Sequence, residues 1–330
     1  MDKLDKRLNN AFSRRSFFAG AGGMAAATLV AGCGGLSSTT MASGKYTDTD
    51  ILNFALNLEY LEAQFYLYAA TGKGLQTSDT TAGSASTYQT VGTVTPGSAA
   101  AVPGLTAAQQ EIVNEIAYEE QEHVRFLRSA LGTAAVPMPS IDLSFFGPLA
   151  VAAGITGPTF NPFASFDAFL IGSFIFEDVG VTAYSGAAGL ISQAGVTAGY
   201  LNAAAGILAV EAYHAAYVRT SLTGRAIAAG SASAYPYLGI ANQVAALRAM
   251  LTVGASAAPG TTGSVETPLA LPTSLTTASS IVAASPTNAV GFARTVNQVH
   301  HIVYGSPTVG VAKGGFFPNG TNSIFATTTA

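Results

Sequence analysis

The sequence predicts an all-α chain: a four-helix bundle with one long crossover, followed by an irregular, partly helical C-terminal extension. Three observations lead to this. The stretch Glu120-Gln121-Glu122-His123 is Glu-x-x-His, and Glu211-Ala212-Tyr213-His214 repeats it. Upstream of each lies an apolar helical stretch with a Glu followed seven places later by a Tyr: Glu59 with Tyr66, and Glu177 with Tyr184. Between the two helix pairs runs a Pro-punctuated segment, long enough to return the chain to the start of a bundle. The chain reads as a helix pair used twice.

The repeat is hard to ascribe to chance. The chain has 4 His and 10 Glu in 330 residues. At that density a random His has a roughly 3% chance of a Glu three places before it, by the counting that periodicity reading asks for. Two of the four His have one. The match also extends downstream, as Phe126-Leu127-Arg128 and Tyr217-Val218-Arg219.

In chain order, residues 1–33 read as an address. Ser13-Arg14-Arg15-Ser16-Phe17-Phe18 precedes a short apolar run rich in Ala and Gly, a pattern similar to a bacterial twin-arginine export signal. The run is short of the ~20 apolar residues that a spanning helix needs. It ends in Leu29-Val30-Ala31-Gly32-Cys33, which looks like a lipobox; lipidation at Cys33 and cleavage further on, near Ala42-Ser43, both fit. The expected location is the cell envelope, with a membrane contact only through such a lipid. Residues 34–46 read as a Gly/Ser/Thr tether.

The bundle is expected over 47–228. Thr47-Asp48-Thr49-Asp50 supplies N-cap chemistry for a first helix from about Asp50 to Ala70, stopped by Gly72 and Gly74. A Ser/Thr/Ala/Gly/Pro insertion covers 75–104, where weak alternation from Tyr88 to Val94 suggests a small hairpin. Thr106-x-x-Gln109 resembles a capping box and opens a second helix reaching about Leu131. Glu111, Glu115, Glu119 and Glu122 fall mostly on its wet side, opposite Glu120 and His123. The crossover spans 133 to about 162. A third helix is expected from Phe163 to Ile191 and a fourth from Thr197 to Ala228. The fourth is apolar nearly all round, which predicts burial, under the C-terminal segment. Residues 229–330 read as an appendage on the bundle, with helices near 239–253 and 287–304. His300 and His301 have no Glu at ligand spacing and read as structural.

Composition narrows the function classes. Hydrophobic residues make up 49% and charged residues 10%, against ~25% charged in ordinary soluble domains. Five of the 14 basic residues fall in the first 15 positions, so the rest of the chain is acidic and offers no basic patch for nucleic acid. The single Cys rules out an internal disulfide.

Packed antiparallel, the four helices bring Glu59, Glu120, Glu177 and Glu211 together with His123 and His214. Four buried carboxylates repel one another, and some would have to take up protons. Two divalent cations balance their charge. Carboxylate and imidazole ligands without thiolate suit iron or manganese. Glu62 lies one turn beyond Glu59 and is the alternative ligand; the spacing to Tyr66 favours Glu59. Tyr66 and Tyr184 hydrogen-bond ligand carboxylates, relay electrons, or simply pack their rings. Asp178, turned some 100° from Glu177, reads as a supporting or surface carboxylate. Arg128 and Arg219 either order carboxylates or neutralise helix ends.

Residues 47–228 resemble the ferritin-like superfamily of rubrerythrin, ferritin and related di-iron carboxylate proteins. The stretches 58–66 and 176–181, and the tail from Gly314 to Gly320, are similar to its exported branch, which includes desiccation-related proteins. The resemblance implies that Glu120 and Glu211 bridge two metals, with Glu59 and Glu177 as terminal carboxylates and His123 and His214 as one imidazole each. It also implies oxygen or peroxide as the small-molecule substrate, in oxidase, peroxidase-like or ferroxidase chemistry. The alternative is a non-catalytic envelope stress protein with a structural or vestigial metal site. Oligomeric state stays open.

Overall fold

The structure is a computed structural model that describes residues 46–155, 160–257, 259–271 and 281–329. The export signal, Cys33 and nearly all of the tether lie outside the described residues. Nine helices follow in order: α1 (Asp48–Thr71), α2 (Thr77–Thr80), α3 (Ala107–Leu131), α4 (Phe146–Ala152), α5 (Phe166–Ala188), α6 (Gln193–Ala198), α7 (Tyr200–Ala228), α8 (Pro236–Leu251) and α9 (Val296–Val303), counted among the described residues. None is long and apolar enough to cross a membrane.

Local chemistry sets the ends of the long helices. Thr47 caps α1 through a reciprocal box in which Asp50 N donates to Thr47 Oγ1 and Thr47 N donates to Asp50 Oδ2. Thr106 and Gln109 do the same for α3. Gly72, at φ 72°, ends α1 in the left-handed region that favours glycine. Gly199, at φ 91°, separates α6 from α7. The fourth bundle helix therefore begins at Tyr200, not at Thr197, and the third runs from Phe166 to Ala188, not from Phe163 to Ile191.

Helices α1 and α3 pack as one pair, α5 and α7 as the other, and α1 lies against α5. The central pair is α1 and α5, with 17 of 24 and 18 of 23 residues buried. Helix α7 buries only 9 of 29, so the expectation of burial all round is overturned. Its exposed positions are mostly Ala and Gly, which count as apolar in a sequence but each expose little apolar area to water, with Tyr213 and Ile227 as the large exceptions. The extension instead covers α5, against which α8 and α9 both pack.

A buried charge network fastens that extension. Arg219 and Arg248 each place a nitrogen 2.8 Å from Asp178 Oδ2 on α5. Arg248 also lies 2.7 Å from Glu266, and Arg294 lies 2.5 Å from the other oxygen of Glu266. All five side chains are buried. The two arginines hold the Asp178 carboxyl below its ordinary range against the upward push of burial. The C-terminal tail closes over α1, where Asn322 N donates to Asn57 Oδ1 at 2.8 Å.

Two further expectations are corrected. No hairpin forms over Tyr88–Val94; β1 (Val94–Thr95) pairs in parallel with β2 (Ile141–Asp142), tying the insertion to the crossover. The helix expected over 287–304 is confined to α9, opened by a Thr295–Gln298 capping box. His300 and His301 are buried structural residues: His300 Nε2 lies 3.1 Å from Thr321 Oγ1, and His301 Nδ1 lies 2.7 Å from the Ser306 carbonyl.

Candidate metal centre

Each Glu-x-x-His pair shares a helix face because residues three apart lie about one turn apart. The structure brings Glu59 on α1, Glu120 and His123 on α3, Glu177 on α5, and Glu211 and His214 on α7 to one point. All six are buried, the carboxylates almost completely. Their ligand atoms form two groups, Glu59–Glu120–His123–Glu211 and Glu120–Glu177–His214, within each of which the atoms lie within 4.8 Å of one another.

Glu120 is the shared member. Its Oε2 lies 3.3 Å from His123 Nδ1, and its Oε1 lies 3.1 Å from His214 Nδ1. His123 Nδ1 is also 3.3 Å from Glu59 Oε2, and His214 Nδ1 is 3.4 Å from Glu177 Oε2. Glu211 joins the first group alone, with Oε1 4.0 Å from His123 Nδ1. In this geometry Glu120 spans both groups and Glu211 does not.

Several neighbours fix these side chains. The Tyr66 hydroxyl donates to Glu177 Oε1 and the Tyr184 hydroxyl to Glu59 Oε1. The bonds cross between α1 and α5, which run antiparallel at this level. Hydrogen bonding to carboxylates and ring packing are both present, since Tyr66 also sets its ring edge-on against Phe65 and Phe169. Gly180 on α5 leaves room for Glu211, since a Cβ there would meet Glu211 Oε2 at 2.2 Å. Glu119, expected on the wet side, places Oε2 2.6 Å from His214 Nε2. The adjacent pair Glu119-Glu120 was the available signal, because its members turn about 100° apart and can face two different neighbours.

Other residues stand apart. Glu62 is buried but belongs to neither group. Arg128 donates to the Tyr60 hydroxyl and to the Thr81 carbonyl, not to a carboxylate. Arg219 binds Asp178, next in sequence to Glu177.

Whether these residues suit metal can be tested on their unmet bonding. Glu59 Oε2, Glu120 Oε1, Glu177 Oε2, both oxygens of Glu211 and His214 Nδ1 are buried without a hydrogen-bond partner. Native interiors leave very few such atoms. Six at one point fit a shared pair of cations. Protons are the other means of relief. Burial raises Glu59 to about 7 despite the His123 imidazole, and pushes Glu211 well above the carboxylate range with Glu62 and Glu120 adding to it. Burial disfavours imidazolium, yet Glu59 and Glu120 bring His123 up to about 11; Glu177 and Glu120 bring His214 up to about 12. Between two such imidazoles Glu120 falls below the usual range, burial notwithstanding.

Residues 47–224, just over half of the chain, match the family described as ferritin-like domain. The chain belongs to that family. Among ferritin-like relatives, it is 28% identical over 281 residues to the ferritin-like catalase Nec2 of Nesocodon mauritianus, covering 84% of this chain and 85% of that one. It is 32% identical over 192 residues to the desiccation-related protein PCC13-62 of Craterostigma plantagineum, about half of each chain. No solved structure matches this ferritin-like chain significantly.

Proposed function

We propose that this ferritin-like chain holds two iron or manganese ions and uses them to decompose hydrogen peroxide. One peroxide would be reduced to two waters while a second is oxidised to dioxygen, so that two peroxides give two waters and one dioxygen. The single observation that supports the reading is the sharing of Glu120 between two Glu/His groups whose buried ligand atoms lack other partners. The similarity to a protein named a ferritin-like catalase, over most of both chains, directs the choice of oxidant.

Glu59, Glu120, His123 and Glu211 would hold one ion and Glu120, Glu177 and His214 the other. Bound there, the ions would supply electrons and Lewis acidity. The chain's own residues prepare the site. Tyr66 and Tyr184 fix one oxygen of Glu177 and of Glu59, leaving the other oxygen of each turned inward. Glu119 orients the His214 ring from its outer nitrogen. Burial excludes bulk water around the carboxylates. Export to the envelope is part of the proposal and rests on residues 1–33 alone.

The test is metal content and oxygen evolution from hydrogen peroxide by the full chain. Two ions per chain and metal-dependent oxygen release are expected, with Glu120→Ala losing both. Retained turnover in that variant would overturn the reading. Two ions per chain, a metal-dependent rise in Tm and no turnover would favour the stress-protein alternative, to which the desiccation-related relative points.

A further inference from the structure

Behind the candidate centre, where α1 and α5 meet the C-terminal extension, lies a cavity of about 20 Å³. Thirteen of its fifteen lining residues are apolar, among them Leu61 on α1, Val179 on α5 and Val244 on α8, all buried. The two polar ones are Glu62 and Arg248. Arg248 Nε is buried without a hydrogen-bond partner, while the other two nitrogens of that guanidinium bind Asp178, Glu266 and the Phe174 carbonyl.

The cavity adjoins the centre. Gly180 lines it and also borders Glu211, whose Oε2 lies 2.2 Å from where a Cβ would stand. No residue of α3 or α7 lines it. Those two helices carry the wetter side of the centre, where the Glu119 side chain is 33% exposed and that of His123 is 10% exposed. The centre thus has a side toward water and a side toward a cavity lined mostly by apolar residues.

We propose that this cavity is a binding site for dioxygen, held next to the metal pair on the side away from water. Size and polarity select the ligand. Holding a single water takes roughly 10–15 Å³ by the same measure, so this cavity fits one molecule of two heavy atoms. A buried water or peroxide is best held by several polar partners, and thirteen of the fifteen lining residues have no polar side chain to offer. Dioxygen needs none, and the free Nε–H of Arg248 gives its weakly accepting end a donor. The assignment of dioxygen, as the product leaving the centre, rests on the peroxide reading; the preference for a small apolar molecule does not.

Xenon, an apolar atom of comparable size, is the probe. Crystals of the full chain under xenon pressure, with metal and without, are expected to show one anomalous peak among Leu61, Val179 and Val244. Val244→Phe should abolish the peak, keep two metal ions per chain and slow oxygen release severalfold. An ordered water bonded to Glu62 and Arg248 at this position, or no xenon there, would overturn the proposal even if turnover stands. Xenon in the cavity without peroxide turnover would leave a small-apolar-molecule site and sink only the peroxide reading. Should Val244→Phe fail to fold, the xenon result on the unaltered protein still decides.

Discussion

Glu119 Oε2 lies 2.6 Å from Nε2 of His214, so a carboxylate on one Glu-x-x-His helix holds the histidine of the other. The relationship is not reciprocated. The residue before Glu211 is Val210, which has no group to offer His123. The two halves of the centre thus differ in support as well as in carboxylates, since Glu211 joins only the His123 group and Glu119 contacts only His214.

Glu119→Gln should therefore weaken one of two metal-binding steps. The amide keeps a hydrogen-bond acceptor and loses the charge that raises the basicity of the ring. Outer partners of this kind are worth about 10–100-fold in metal affinity. A stepwise Mn(II) titration should show one step weakened by about that factor and the other unchanged, with Tm of the metal-free protein unaltered. Equal loss at both steps would refute the asymmetry.

Gly180→Ala should separate folding from metal binding. Alanine favours a helix interior by up to about 1 kcal/mol over glycine. The new Cβ, however, would sit 2.2 Å from Glu211 Oε2 and force that carboxylate aside. The metal-free variant is expected to melt at or above the parent's Tm, while the rise in Tm on adding Mn(II) shrinks. A full metal-induced rise would show that Glu211 is not needed.

The charge of the metal-free centre sets a pH dependence. Glu59 is raised to about 7 in the folded chain, so between its ordinary value and 7 the folded state binds more protons than the unfolded one. His123 and His214, raised to about 11 and 12, extend that window upward from about 6.5. Metal-free stability should thus fall as pH rises. Metal must displace these protons, so its affinity should rise with pH and loading should release acid. Tm measured with chelator and with Mn(II) between pH 5.5 and 8.5 should diverge as pH increases. Parallel curves would mean that metal does not compete for these atoms.

Arg248→Met should loosen the extension. Arg248 contacts Asp178, Glu266 and the Phe174 carbonyl, all buried. Removing one partner from a buried ionic cluster costs about 3–5 kcal/mol, because charges are left behind unpaired. Urea unfolding should show a loss of that order, with proteolysis beginning beyond α7. A loss under about 0.5 kcal/mol, within the usual scatter for surface positions, would dismiss the network as an anchor.

What was legible in the sequence was whatever depends on short separations. The Glu-x-x-His pairs, the seven-residue Glu/Tyr spacing and the Thr47, Thr106 and glycine boundaries are helical arithmetic within one element. They put Glu59, Glu120, His123, Glu177, Glu211 and His214 on inward faces, and the structure brings all six together. Long-range partners were not legible. Glu119 looked solvated because its partner, His214, stands 95 residues away. Helix α7 looked buried because Ala and Gly count as apolar whether or not anything covers them. The pairing of Val94 with Ile141, and of Asp178 with Arg248, links segments whose separation carries no periodic signal.

The crossed tyrosines also constrain how the protein is made. When residues 48–131 leave the ribosome, Tyr66 has no carboxylate to meet and Glu59 has no hydroxyl, since both counterparts lie in α5. The first hairpin must wait, half finished, until translation has delivered Tyr184 and then His214. On the proposed function, metallation would then be a late event in the birth of the chain, and an interruption before α7 would leave a polypeptide with nowhere to seat a cation pair.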